Sequence, residues 1–335
     1  MSEEYSGESL LKVQDLSISI REGVKTYIAV DRISYEVQKG EILGMVGESG
    51  CGKTVTNLAV MGLLPPVLSI SGGSILYDGR ELTGLSEEER QKLSGNEISM
   101  IYQEPLTSLN PLIRIGDQVG ESLLIHHPEI GKEERNARVL QALMEVGLPD
   151  PKEVIRLYPH QLSGGMRQRV CIAMATICRP RLMIADEPTT ALDVTVQARV
   201  LRLLRHINRK YGMSMAFISH DLAVIRQICD RVIVMYAGKI VEEGPVEDIL
   251  QNPAHEYTKG LMRSIPGFDS KGADLPAIPG HVPSTEEYRD PCPFAPRCPK
   301  AQEICRKEAP PMILLSEKHK IYCHTGIHPA GNTPV

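Results

Sequence analysis

The sequence predicts an α/β fold in which helices cover a mainly parallel sheet. Strands alternate with helices over residues 10–265, and a glycine-rich loop joins an apolar strand to a helix within that region. Such alternation is typical of a parallel sheet, because each crossover between parallel strands is usually a helix. The chain has 335 residues, a length that suffices for about two domains.

Each predicted element has a local signal in the sequence. Residues 13–20 alternate apolar and polar side chains, the pattern of a half-buried strand, and residues 33–37 repeat it. An apolar strand over 41–46 precedes the glycine loop, and the helix that follows, over 53–64, ends at two prolines. The remaining elements are a largely helical stretch over 117–147, helices over 166–178 and 194–211, and strands over 182–185, 214–219 and 231–236.

Composition and charge exclude several classes of protein. Hydrophobic residues make up 42% of the chain and charged residues 24%, which indicates a globular rather than a disordered or fibrous protein. No stretch approaches the ~18 uninterrupted apolar residues of a membrane helix, and the acidic, polar start is unlike a signal peptide. The net charge of −5 gives no electrostatic reason to expect nucleic-acid binding.

The composition changes near residue 265. Of the 24 prolines, 12 lie between Pro266 and Pro334, together with four of the eight cysteines. We therefore predict a main domain over residues 1–265, with a helical insertion at about 112–178, and a small irregular C-terminal extension over 266–335. The extension has few apolar runs, so it is expected to need a stabilising cross-link, such as a bound metal, in order to fold.

Residues 47–54 match the phosphate-loop pattern GxxxxGK[ST] between a predicted strand and a predicted helix. Glycines let consecutive backbone N–H groups turn towards phosphates, and the helix N-terminus adds a favourable dipole. Lys53 is expected to reach the β- and γ-phosphates, and the Thr54 hydroxyl to bind Mg²⁺. The expected nucleotide-binding residues are Gly47, Glu48, Ser49, Gly50, Cys51, Gly52, Lys53 and Thr54.

Two carboxylates, Asp186 and Glu187, follow the apolar strand predicted at 182–185. At the carboxyl end of a strand near a phosphate loop, Asp186 can bind Mg²⁺ through water and Glu187 can polarise the attacking water. The alternative is an acidic helix N-cap ahead of Pro188.

Residues 162–169, LSGGMRQR, resemble the LSGGQ signature of ABC-type ATPases, with Met166 where glutamine is commonest. A Ser-Gly-Gly turn at a helix start can bind an anion, although alone it could be a flexible turn. The resemblance implies that Ser163, Gly164 and Gly165 bind the γ-phosphate of ATP held by an opposite subunit. It also implies the fold of a phosphate-loop ABC-ATPase: a RecA-like core sheet, an antiparallel β subdomain and an inserted helical subdomain.

Four further positions resemble functional positions of the same family. Tyr27 resembles the aromatic residue that stacks on adenine, although it could instead be a core residue, and Tyr35 competes for the role. The resemblance implies that Gln103 touches Mg²⁺ and faces the membrane partner, that Asp193 belongs to the D-loop, and that His220 hydrogen-bonds the γ-phosphate. Glu187, His220 and Gln103 are thus the expected catalytic residues.

Residues 252–258, NPAHEYT, resemble a segment of the ATP-binding subunits of dipeptide/oligopeptide importers, which typically reads NP-x-HPYT. This resemblance implies ATP hydrolysis that powers peptide import. The implied partners are two transmembrane permease subunits, a sister ATP-binding subunit and, indirectly, an extracytoplasmic peptide-binding protein. The implied location is the cytoplasmic face of the membrane. The alternatives are a related importer for oligosaccharides or nickel, and a soluble ABC-ATPase that acts on DNA or ribosomes.

The extension contains Cys292, Cys298, Cys305 and Cys323, enough thiolates for one tetrahedral Zn²⁺ site or one [4Fe–4S] cluster. The absence of a CxxC pair weighs against a zinc ribbon, and members of the importer family with such tails carry an iron–sulfur cluster. The resemblance therefore implies a [4Fe–4S] cluster. Zinc and free thiols are the alternatives, with His319 and His324 as substitute ligands. The other cysteines are expected to be small buried apolar groups: Cys51, Cys171, Cys178 and Cys229.

Overall fold

The structure, a computed structural model, describes residues 8–103, 108–190, 192–264, 278–287 and 291–325. The chain divides into two compact units. We call one the helical unit, which consists of Met1–Leu10, Gln38–Glu41 and Gly84–Phe217. The other, which contains the phosphate loop and the C-terminal extension, is called the loop unit and consists of Leu11–Val37, Ile42–Thr83 and Ile218–Val335.

The described strands are, in chain order, β1 (Ser9–Glu22), β2 (Lys25–Gln38), β3 (Ile42–Val46), β4 (Leu68–Tyr77), β5 (Arg80–Glu81), β6 (Ile98–Ile101), β7 (Leu182–Asp186), β8 (Ser214–Ile218), β9 (Arg231–Tyr236), β10 (Lys239–Pro245), β11 (Met312–Leu314) and β12 (Lys320–Tyr322). The described α-helices are α1 (Lys53–Met61), α2 (Glu87–Leu93), α3 (Ile115–His126), α4 (Lys132–Glu145), α5 (Pro151–Val154), α6 (Gly164–Thr176), α7 (Val194–Tyr211), α8 (Leu222–Ile228), α9 (Val246–Gln251) and α10 (Glu256–Arg263).

An antiparallel sheet forms one layer of the loop unit, in the strand order β2-β1-β4-β5. Strands β1 and β4 pair with Leu11 opposite Tyr77 and Ile18 opposite Ile70. The buried face of β1 contains Leu11, Val13, Leu16 and Ile18. This spacing follows the alternation that predicted the strand.

Strand β3 is a buried strand of the loop unit and leads into the phosphate loop. It runs parallel to β9, with Val46 opposite Val234, and all of its residues are buried. Strands β10, β12 and β11 continue this sheet in antiparallel fashion beyond β9, giving the order β11-β12-β10-β9-β3 within the unit. The extension therefore adds two short strands to the same sheet that carries the loop.

The extension packs through a cluster of aromatic side chains. Phe294 is almost fully buried, and its ring centroid lies 5.2 Å from that of Tyr236 on β9 and 5.4 Å from that of Tyr257 on α10. Aromatic pairs of this kind add about 0.5–1.5 kcal/mol each beyond the apolar area that they bury. A second small apolar cluster joins Ile321, Cys323 and Ala254. The extension thus has packing of its own, which the shortage of apolar runs in its sequence did not indicate.

In the helical unit, β6 and β7 run parallel, with Ile101 opposite Ala185, and the strand order is β8-β7-β6. Helices α3 to α6 lie between β6 and β7 in the sequence, within the stretch predicted as an insertion. Apolar residues of α3 and α4 at helical spacing are fully buried, among them Val119, Leu123, Val139 and Leu143. This part of the chain is therefore a helical layer with its own core.

The observed boundaries differ from the predicted ones at helix ends. Helix α1 ends at Met61 rather than at residue 64, because Gly62 adopts a left-handed conformation (φ +69°) and caps it. Helix α6 begins at Gly164, two residues earlier than predicted, because Ser163 serves as its N-cap. The predicted domain boundary at 265/266 lies outside the described residues and stays a prediction.

A buried carboxylate, Glu242 on β10, joins the extension to the sheet. Its oxygens accept hydrogen bonds from the backbone N–H groups of Ala254 (2.8 Å) and His255 (3.0 Å), the residues that lead into α10. The ring Nε2 of His319, ahead of β12, lies 2.8 Å from the same carboxylate. Glu242 is fully buried, so each of these donors depends on it.

We expect Glu242→Ala to lower the free energy of unfolding by roughly 3–5 kcal/mol, because it leaves two buried N–H groups and a buried histidine without their acceptor. Chemical denaturation would measure the loss. The matched control is Glu247→Gln on the exposed side of α9, which should change stability by no more than about 0.5 kcal/mol. A loss at Glu242 as small as that of the control would show that the carboxylate does not hold the extension.

Candidate functional site

The phosphate loop contains glycines at positions where a side chain would be crowded or strained. A Cβ on Gly47 would collide with the backbone carbonyl oxygen of Met235 on β9. Gly50 and Gly52 have φ angles of +78° and +102°, which side-chain-bearing residues rarely adopt. A Cβ on Gly52 would also lie 3.0 Å from Cγ2 of Val30 on β2. The tight turn from β3 into α1 therefore depends on glycine at these positions.

Lys53 folds back over the loop. Its ammonium donates hydrogen bonds to the carbonyl oxygens of Gly47 (2.7 Å) and Glu48 (3.1 Å), and its side chain is buried. Thr54 follows as the second residue of α1 and is exposed. Burial raises the pKa of the Cys51 thiol, so this cysteine is a protonated, apolar group at neutral pH. The loop thus presents one cation and a helix N-terminus at the same point, the arrangement that binds phosphate.

Two residues outside the predicted site hold the loop from the other side. Arg297 of the extension pairs with the Glu48 carboxylate at 2.9 Å, and the Tyr257 hydroxyl accepts a hydrogen bond from the Glu48 N–H at 2.8 Å. Sequence reasoning used Tyr257 only as part of the NPAHEYT segment and missed Arg297. Arg297 lies 249 positions after Glu48 in the sequence, and only its location in a proline- and cysteine-rich turn marks it.

The predicted adenine platform lies on the strand that passes the loop. Tyr27 is half-buried on β2, three residues before Val30, the residue that contacts Gly52. The competing Tyr35 is buried, and its hydroxyl has no hydrogen-bond partner. Burial raises the pKa of Tyr35 above its ordinary value. Tyr35 is thus a core residue, and Tyr27 is the more accessible of the two rings.

His220 lies in the loop unit, just after β8. It is exposed, and it directly precedes Asp221, whose carboxylate accepts a hydrogen bond from the Ala223 N–H (2.7 Å) and caps α8. The N–H of Ser219 donates to the carbonyl of Met45 on β3 at 3.1 Å, which fixes the chain next to the strand that leads into the loop.

In the helical unit, the structure brings together two of the predicted catalytic side chains. The amide of Gln103, two residues after β6, donates a hydrogen bond of 3.0 Å to the carboxylate of Glu187, directly after β7. The Thr190 hydroxyl donates to the same carboxylate at 2.9 Å. These contacts arise because β6 and β7 are parallel neighbours, so their carboxyl ends meet at one edge of the sheet.

Glu187 has a left-handed backbone (φ +45°), which is uncommon for a residue with a side chain. Such conformations concentrate at functional sites, where the surrounding structure holds them. Its neighbour Asp186 is the last residue of β7 and is buried. The two consecutive carboxylates therefore have different environments, one within the sheet and one in the turn after it.

The signature segment lies at the start of α6. The Ser163 hydroxyl caps this helix by accepting from the Met166 N–H at 3.3 Å, and Ser163 and Gly164 are exposed. A Cβ on Gly165 would lie 3.0 Å from Cγ1 of Val196 in the first turn of α7. Asp193, the predicted D-loop residue, caps α7 by accepting from the Val196 N–H at 2.9 Å. The two helix N-termini therefore lie side by side.

The four cysteines of the extension share one region. Burial raises the pKa of Cys292 to about 11, with added repulsion from Cys305 and Cys323, and burial also raises that of Cys298. Among the residues that the structure describes, however, no group of three or more Cys, His, Asp or Glu side chains could hold a metal ion. The structure thus gives no support to the predicted [4Fe–4S] cluster or to its zinc alternative.

Three of the cysteines and both predicted substitute ligands make other contacts. Cys323 belongs to the apolar cluster of Ile321 and Ala254, and the backbone N–H of Cys292 donates to the carbonyl of Cys305 at 3.1 Å. His319, a predicted substitute ligand, is paired with Glu242, and His324 Nε2 lies 3.0 Å from the carbonyl of Glu308. Within the described part of the extension, buried apolar packing and these hydrogen bonds hold the chain together.

Three of the remaining four cysteines are buried, as the sequence predicted, and the fourth is not fully buried. Cys51, Cys171 and Cys229 are buried, and Cys178 is partly buried. Burial raises the pKa of Cys171 to about 12 and that of Cys178 to about 11. None of the helices in the described ranges combines the length and the apolar character needed to cross a membrane.

Comparison with known proteins agrees with these features. The family model "ABC transporter" matches residues 30–190, and the model "Oligopeptide/dipeptide transporter, C-terminal region" matches residues 241–305. Among solved structures, the dimeric ABC transporter cassette MJ0796 superposes with a TM-score of 0.64 at 26% identity, covering 70% of this chain and 98% of that one. The predicted ABC-ATPase fold is thus confirmed.

Curated relatives extend the similarity over nearly the whole chain. The dipeptide transport ATP-binding protein DppD of Bacillus subtilis is 47% identical over 94% of both chains. DppD of Escherichia coli is 44% identical over 96% of this chain and 98% of that one. The oligopeptide transport ATP-binding protein OppD of Salmonella typhimurium is 46% identical over 92% and 91%. The chain therefore belongs to the family of ABC-type dipeptide and oligopeptide transport ATP-binding proteins, and it is an ATPase of that type.

Proposed function

We propose that this chain hydrolyses ATP to power the import of dipeptides or oligopeptides through a membrane ABC transporter. The observation that carries the proposal is the identity of 44–47% with DppD and OppD proteins over more than nine-tenths of the chain. Phosphoryl transfer requires positioning and charge stabilisation more than covalent chemistry from the protein. The candidate residues of the two units would supply this positioning and this charge stabilisation.

The loop unit supplies the cradle for the triphosphate. The backbone of residues 47–54 would surround the phosphates, with Lys53 turning from the carbonyls that it now contacts to the β- and γ-phosphates. Tyr27 would stack on the adenine. Thr54 would bind Mg²⁺ through its hydroxyl, and Asp186 and Gln103 of the helical unit are the other proposed ligands, because Mg²⁺ prefers oxygen atoms. Bound Mg²⁺ would neutralise charge that develops on the phosphate oxygens.

The helical unit supplies the group that acts on water. Glu187 would orient the attacking water, with its carboxylate held by Gln103 and Thr190. General-base assistance of this kind contributes about 10²–10⁴-fold to the rate. His220 would donate a hydrogen bond to the γ-phosphate.

Two copies of the nucleotide-binding architecture would share each ATP. Ser163, Gly164, Gly165 and Asp193 would come from a sister ATP-binding subunit and meet the γ-phosphate held by the loop of this chain. The dimers of MJ0796, one of them bound to ADP and phosphate, support this arrangement. The complete transporter would add two transmembrane permease subunits, which place the chain peripherally at the membrane, and an extracytoplasmic peptide-binding protein that selects the cargo.

The alternatives are importers for oligosaccharides or nickel, and ABC-ATPases that act on DNA or ribosomes. The match of residues 241–305 to the C-terminal region of oligopeptide/dipeptide transporters favours peptide import over these alternatives.

The decisive experiment reconstitutes the chain with its permease subunits and measures ATP hydrolysis with peptide-loaded binding protein. We expect peptide to stimulate hydrolysis, and we expect Glu187→Gln to bind ATP but to slow turnover by about 10²-fold or more. Glu317→Gln, an exposed glutamate of the extension, is the matched control and should leave turnover unchanged. If only a sugar- or nickel-loaded binding protein stimulated hydrolysis, the proposed peptide cargo would be wrong. Normal turnover of Glu187→Gln would show that this residue has no catalytic role.

Lys53→Ala should weaken ATP binding by about tenfold or more, because a charge-assisted hydrogen bond contributes roughly 1.5–3 kcal/mol. Calorimetric titration of the purified chain with Mg-ATP measures this effect. Lys92→Ala removes the same charge from α2, where the exposed Lys92 side chain pairs with Glu88, and should not change the affinity. Equal affinities of the two variants would contradict the role of the loop.

The [4Fe–4S] cluster stays a proposal that rests on the family resemblance and on four cysteines in one region. We expect the chain purified without oxygen to contain about four iron atoms, as one such cluster requires, and to absorb visible light through sulfur-to-iron charge transfer. Replacing Cys305 with Ser should abolish that absorbance, whereas Cys178→Ser should not. Stoichiometric zinc would favour the alternative ion, and a colourless, metal-free protein would establish free thiols.

A further inference from the structure

In Arg297 of the C-terminal extension, all three guanidinium nitrogen atoms donate hydrogen bonds. One side forms a two-pronged pair with the Glu48 carboxylate, at 2.9 Å through Nη1 and 3.3 Å through Nη2. Nη1 also donates to the Tyr236 hydroxyl at 3.2 Å, and Nε donates to the carbonyl of Pro279 at 2.8 Å. The arginine is 6% exposed and the glutamate 30%. Paired arginines of this kind are well oriented, because a fork of two parallel hydrogen bonds fixes both planes.

The partner of this arginine belongs to the phosphate loop itself. Glu48 is the residue after Gly47, its carbonyl accepts a hydrogen bond from Lys53, and its N–H is held by the Tyr257 hydroxyl. The position of Glu48 is therefore fixed at the side chain, the carbonyl and the N–H. Tyr257 and Tyr236 also form the aromatic cluster around Phe294, so the extension reaches the loop directly through Arg297 and packs against the tyrosine that holds the Glu48 N–H.

A carboxylate in a phosphate loop presents an electrostatic problem. The loop must receive a triphosphate, and an unpaired negative charge close to it would repel the ligand. The burial of Arg297 means that its charge is poorly screened by water, so it offsets the charge of Glu48 strongly.

We propose that Arg297 is a positioning residue for ATP binding, which acts through Glu48: it offsets the negative charge of this carboxylate and fixes its place in the phosphate loop. The C-terminal extension is thereby part of the nucleotide site rather than an appended module. This inference rests on the proposed use of residues 47–54 as the ATP cradle.

The test is a double-mutant cycle on the full-length chain, read as Mg-ATP affinity by calorimetric titration. Arg297→Gln should weaken binding by about tenfold, a factor that corresponds to 1.4 kcal/mol. Adding Glu48→Gln to Arg297→Gln removes the charge that Arg297 offsets. The affinity of this double variant should return to within about threefold of the native value. Arg297→Lys, which keeps the charge and loses the fork, should fall between native and Arg297→Gln.

The matched control is Lys307→Gln, which removes the same charge from an exposed residue of the extension and should not change the affinity. Thermal unfolding of each variant separates a folding defect from a binding defect, and Arg297→Lys carries the test if Arg297→Gln does not fold. The inference would be overturned if Arg297→Gln bound Mg-ATP with native affinity. It would also be overturned if adding Glu48→Gln to Arg297→Gln did not restore the affinity. In that case a loss of binding in Lys53→Ala would leave the proposed function intact, whereas unchanged binding in Lys53→Ala would remove both.

Discussion

The close approach of the Gly47 backbone to the carbonyl of Met235 is the constraint on which the rest of the loop unit depends. It forces glycine at the end of β3, turns the chain sharply into α1, and brings the Lys53 ammonium back over the loop carbonyls. Strand β3 can sustain this turn because it is fully buried and paired with β9, the strand that contains Met235. A buried strand therefore positions the backbone of the loop that we propose as the phosphate cradle.

The C-terminal extension shares that sheet and helps to shape that cradle. Its strands continue the sheet beyond β10, its buried Phe294 packs against rings from β9 and α10, and its Arg297 reaches the loop. Glu242 joins the segment that leads into α10 to His319 of the extension. In the described residues of this proline-rich extension, a few buried aromatic and charged groups thus take the place of long apolar runs.

The helical unit contains a second set of preformed contacts. Glu187 is held in a left-handed turn by Gln103 and Thr190, and the caps of α6 and α7 bring Ser163 and Asp193 to neighbouring helix starts. In each case, a strand or helix end fixes a polar group at the surface of a buried layer. Such groups lose little conformational freedom when a ligand binds, and binding energy is therefore available for orientation.

The sequence by itself determined the elements and motifs whose signals are local. Glycines at fixed spacing before Lys53, a Ser-Gly-Gly turn before α6 and carboxylates after an apolar strand identified the loop, the signature and the Asp186–Glu187 pair, because each motif needs its residue types within a few positions. Only the tertiary structure decided what joins distant parts of the chain. The Arg297–Glu48 pair spans 249 positions, and Cys323 packs with Ala254, which lies 69 positions before it in the sequence. Pairings of this kind depend on which surfaces the sheet brings together, and no local pattern in the sequence specifies that.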